Sequence, residues 1–60
     1  MVVRYRITVN GGNVLITDSY RHAAAAYNKA IYHGKPGDII RMMYRDDPNK
    51  PWQTAKKDWL

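Results

Sequence analysis

The chain has 60 residues, ten Lys and Arg against five Asp and Glu, no Cys, and a formal net charge of +5. A chain of this length buries only about 60% of the surface its unfolded form exposes, so it supports one small domain of simple fold. That excludes a Rossmann unit, a barrel and a catalytic domain with a deep pocket of its own; the lack of Cys excludes disulfides, thiol catalysis and Cys-based zinc sites.

Residues 2–9 alternate with period two. Val3, Tyr5, Ile7 and Val9 fall on one side and Val2, Arg4, Arg6 and Thr8 on the other, which predicts a half-buried strand. Asn10-Gly11-Gly12-Asn13 contains the dipeptides that supply positive φ in tight hairpin turns, and Val14–Thr17 follows as a short second strand.

Residues 18–33 read as a helix with Asp18 as N-cap and Thr17 and Ser19 as neighbours able to share that job. Tyr20, Ala24, Tyr27 and Ile31 form a stripe flanked by Ala23 and Ala30, the face expected to pack on a sheet. Gly34 stands where a C′ glycine belongs, and Pro36 just beyond prevents continuation. Ile39–Arg45 alternates again and predicts a third strand, closed by Asp46-Asp47-Pro48.

The tail, 49–60, has two readings. Trp52, Ala55, Trp59 and Leu60 recur at helical spacing after Pro51, which suits a short docked helix. A flexible arm that orders on a partner suits the same residues. The organisation is therefore a ββαβ domain over 1–48 and an arm or short helix over 49–60. The fold class is α+β: a three-stranded antiparallel sheet in the order 2-1-3, with one helix on one face and the other face left open.

That arrangement sets Arg4, Arg6, Arg41 and Arg45 together on the open face. Guanidinium groups suit forked contacts with phosphate or carboxylate and stack on planar groups. The alternative is that they only solvate the face and deter aggregation. Four of the five Lys are expected outside the strands, in the loops and tail. Tyr32, Trp52 and Trp59 are candidate aromatic anchors, with core packing as the alternative for the two Trp.

Other features carry less. His22 and His33 sit three helical turns apart, too far for one metal. Asp46-Asp47 before Pro48 reads as turn chemistry. Ser19 lies in the first helical turn, and 34–37 lacks the spacing of a P-loop. No metal or cofactor site is expected, and no enzymatic activity. No stretch reaches the ~18 apolar residues of a membrane span, and no signal peptide is evident, so the chain is expected in the cytoplasm without a membrane partner.

Two functional readings remain. The first is a regulator or inhibitor that docks the Arg face and aromatic anchors on a larger cytoplasmic protein. The hairpin–helix–strand order, with Arg41 and Arg45 in the last strand, is similar to that of small phage inhibitors of host RNA polymerase, and the resemblance implies a protein target. The second is a nucleic-acid-binding module that sets the same arginines on the phosphate backbone. Against it, the clearest aromatics fall on the helix-facing side or in the tail. A homodimer through the short, uncharged strand 2 is compatible with either reading.

Overall fold

The computed structural model describes residues 2–60. Its elements are β1 (Arg4–Val9), β2 (Gly12–Thr17), α1 (Tyr20–His33), β3 (Ile39–Arg45) and β4 (Gln53–Trp59). It is a small α+β fold with one helix and an antiparallel sheet. The sheet has four strands in the order β2-β1-β3-β4, where the sequence suggested three in the order 2-1-3.

The correction lies in the tail. Gln53–Trp59 is a strand paired with β3, from Ile39↔Trp59 to Tyr44↔Gln53, and neither a short helix nor a flexible arm. Its side chains are exposed along its whole length. Backbone pairing and a few side-chain contacts therefore hold it, not a buried apolar stripe. Lys56 and Lys57 consequently lie in a strand, so only three of the five Lys fall outside the strands.

The β1–β2 hairpin turns on Asn10 (φ 53°) and Gly11 (φ 85°). Two consecutive positive φ values match the right-handed twist of the flanking strands. β2 thus begins at Gly12, earlier than the Asn-Gly-Gly-Asn stretch suggested. Asn10 also fastens the hairpin to the start of β3. Its N–H donates to Ile39 O at 2.8 Å, and its Oδ1 accepts from Ile39 N at 2.9 Å. Its Nδ2 donates to Asp38 Oδ1 at 3.0 Å.

Of the three neighbouring candidates, Ser19 caps the helix in place of Asp18. Ser19 is extended (φ −99°, ψ 116°), and its Oγ accepts from His22 N at 3.3 Å. Thr17 Oγ1 accepts from Ser19 N at 3.1 Å and holds that geometry. At the other end Gly34 is extended (φ −70°, ψ 159°) and not left-handed. Glycine is needed there for room: an added Cβ would overlap Leu60 Cδ1 and stand 2.9 Å from Ala30 O.

The core lies between the helix and one face of the sheet. Ile7, Ala23, Tyr27, Ile40 and Met42 are its buried members. Burying a large aliphatic side chain contributes roughly 1.5–3 kcal/mol. The helical contact centres on Ala23 and Tyr27, whereas Tyr20 is half exposed at the rim, with its ring edge-on to Tyr5 at 5.5 Å. Small Ala side chains let the helix approach the strands closely. No helix is long and apolar enough to cross a membrane among the described residues.

Candidate binding face of the sheet

The strand registers decide which side chains share a face. Ile7↔Met42 and Val9↔Ile40 pair across β1 and β3 and point to the helix. The intervening pairs, Arg4↔Arg45, Arg6↔Met43 and Thr8↔Arg41, therefore point away from it. All four candidate arginines lie on this open face. β4 extends it. Ile40 is buried under the helix and faces Asp58, whose carboxylate accepts from Tyr27 Oη, so Asp58 is on the helix side. Its neighbours Lys57 and Trp59 then fall on the open side, opposite Arg41 and Ile39. Among the described residues the open face carries five cations, and none of the four strands places an Asp there.

The arginines divide into two kinds. Trp52, just before β4, lies half-buried on the open face. Arg45 Cζ stands 4.3 Å and Arg6 Cζ 4.8 Å from its ring centroid. Arg45 Nη1 donates to Pro48 O at 3.3 Å, and Arg6 Nη2 approaches Met43 Sδ at 3.3 Å. The Nε atoms of both are buried without a hydrogen-bond partner, as expected where guanidinium planes are stacked on a ring. Arg6 and Arg45 thus hold the 46–52 turn against the sheet. Arg4 and Lys57 are exposed and Arg41 is half-buried; none of the three has an ion-pair partner among the described residues.

The turn is ordered by its acids, as the sequence suggested. Asp47 Oδ1 accepts from Asn49 N at 2.9 Å and Asp47 O from Lys50 N at 3.0 Å. Asp46 pairs with Lys50 at 3.4 Å on the surface. Between this turn, Arg4 and Ile16 runs an open groove of about 630 Å³ with Trp52 as one wall.

Of the three aromatic candidates, Trp52 and Trp59 are on the basic face and Tyr32 is not. Trp59 is 72% exposed. Tyr32 is 84% exposed on the helix, edge-on to His33 at 5.1 Å. Sequence reasoning missed Lys57, because its face follows only from the pairing of β4. His22 and His33 are both exposed on the helix, and no group of three or more His, Asp or Glu is placed to hold a metal among the described residues.

Among the described residues, Tyr27 and Asp38 are shifted. Burial pushes the Tyr27 phenol up, and the hydrogen bond to Asp58 and that carboxylate's charge push it further. The backbone N–H of Lys35, then the amide of Asn10, hold the Asp38 carboxyl below its ordinary value. Both groups fasten the scaffold: Tyr27 ties the helix to β4, and Asp38 ties the end of the helix to the hairpin. No protein-family model, curated protein or solved structure matches the chain.

Proposed function

We propose that the open face of the sheet binds single-stranded nucleic acid. In this reading Arg4, Arg41 and Lys57 meet phosphates, and Trp59 stacks on an unpaired base. The observation that carries it is the exposed Trp59 ring beside Lys57 and Arg41, on a face with five cations and no strand carboxylate among the described residues. The objection that aromatics avoid the basic face falls once β4 is a strand, since Trp52 and Trp59 both lie there. A duplex offers no unpaired base to a flat ring, so the exposed indole favours single strands.

The test is fluorescence anisotropy with labelled single- and double-stranded oligonucleotides across a salt series. Wild-type protein binds single strands at low salt and weakens steeply as salt rises. Trp59→Ala weakens binding about 5- to 150-fold, the equivalent of losing one stacked base at ~1–3 kcal/mol. Arg41→Ala and Lys57→Ala each lower the salt slope by about 0.7. Absence of binding at low salt overturns the reading.

One observation favours a protein partner instead. Tyr32 stands almost fully exposed on the helix, away from the basic face, and exposed Tyr is a typical anchor of protein interfaces. In that reading the chain is a regulator or inhibitor. Tyr32→Ala then costs more affinity than any single arginine change.

A further inference from the structure

β2 and β4 are the two edges of the sheet, and they differ in build. β4 carries Lys56, Lys57 and Asp58. β2, Gly-Asn-Val-Leu-Ile-Thr, has no charge and no Pro, and Val14 and Ile16 are 56% and 51% exposed. Charged side chains and prolines are what ordinarily keep an edge strand from pairing with another chain. The direction of the free backbone groups follows from the ladder. Asn10 N donates to Ile39 O, so the even-numbered residues of β1 address β3 and the odd-numbered ones address β2. Arg6 lies opposite Ile16, so the N–H and C=O of Ile16 point outward to the free edge.

We propose that β2 pairs antiparallel with β2 of a second copy of this chain, about a two-fold axis at Ile16. The two Ile16 residues exchange backbone hydrogen bonds and set their side chains against each other on the open face. The occupant is a second copy for two reasons. An uncharged strand meets itself across a two-fold axis with no like charges opposed, which the Lys-bearing β4 does not. Among the described residues the core has five buried apolar members, the sequence has no Cys for a disulfide, and folds of this size commonly gain their missing stability by oligomerising. The axis stands perpendicular to the sheet, so both helices lie on one side and both basic faces on the other. The extra residue Val14 interrupts regular pairing, which confines the contact to a few residues and makes the association weak and concentration-dependent.

Sedimentation equilibrium without nucleic acid tests this, over roughly 10 µM to 1 mM, the range in which small interfaces associate. The wild-type mass rises from 7.0 kDa toward twice that value. Ile16→Lys stays at 7.0 kDa with an unchanged far-UV circular dichroism spectrum. Amide exchange on the wild-type chain gives an independent reading, since Ile16 N–H becomes protected at the high concentration and not at the low one. A wild-type mass constant at 7.0 kDa overturns the proposal. So does a dimer in which the Ile16 amide stays unprotected. Should Ile16→Lys fail to fold, the exchange data decide.

Discussion

Replacing Trp52 with Leu isolates the interaction that shapes the binding face. Leu keeps an apolar cover over the sheet but removes the π-face on which Arg45 and Arg6 stack at 4.3 and 4.8 Å. A cation–π contact contributes about 0.5–1 kcal/mol when exposed and about 2 when desolvated. Both guanidinium stems have a buried Nε, which places each contact near 1 kcal/mol, so Trp52→Leu is expected to cost about 2 kcal/mol. For a domain of this size that lowers Tm by about 8–16 °C. The assay is urea unfolding followed by circular dichroism, run as a double-mutant cycle with Arg45→Met. Met keeps the aliphatic stem, and the cycle cancels the lost contact to Pro48 O. The expected coupling between Trp52 and Arg45 is about 1 kcal/mol, with an unchanged m-value. A loss below about 0.5 kcal/mol, or a coupling of zero, would refute the reasoning and leave apolar contact as what holds the turn.

Tyr27→Phe removes the hydroxyl that bonds Asp58, and is expected to cost about 1–2 kcal/mol at neutral pH. The folded-state pKa of Tyr27 lies above its unfolded value, so its contribution is fully present below about pH 10 and is lost as pH rises beyond it. Urea midpoints measured from neutral to strongly alkaline pH should fall less steeply for the Phe variant; identical slopes would contradict this. Gly34→Ala should destabilise by about 1–3 kcal/mol through overpacking against Leu60 and Ala30 O, with partial recovery in the Leu60→Ala background. Were Gly34 merely flexible at its ordinary φ of −70°, Ala would instead stabilise by about 0.4–1 kcal/mol, so the sign of the thermal shift decides.

The inner sheet was legible because burial on one face imposes alternation. Tyr5, Ile7 and Val9 in β1, and Ile40 and Met42 in β3, announce both strands and put the four arginines on the far side. The helix was legible from its stripe, although the packing centre is Ala23 and Tyr27, because Tyr20 leans on Tyr5 at the rim. Gln-Thr-Ala-Lys-Lys-Asp-Trp gave no strand signal. Neither of its faces is buried, so nothing selects alternating polarity, and its extra residue Ala55 breaks the period. The spacing of Trp52, Ala55, Trp59 and Leu60 imitates a helix by coincidence. Leu60 packs beside the core and Trp52 on the opposite face. The Trp52–arginine stack was unreadable for the same reason, since it exists only once β4 pairs with β3 and folds the turn back over the sheet.

The two register irregularities fall on the two outer strands, where Val14 and Ala55 are the extra residues; β1 and β3 face each other without interruption. One residue added to or removed from an inner strand would exchange its core side chains for its basic ones. An outer strand absorbs the same change as a local bend. Length changes in this fold are therefore expected to collect at β2, β4 and the turns, whereas β1 and β3 vary in residue type but not in length. The basic side chains Arg4, Arg41 and Lys57 contribute little to the core, so the open face can be rewritten for a different ligand while the scaffold beneath it stays the same.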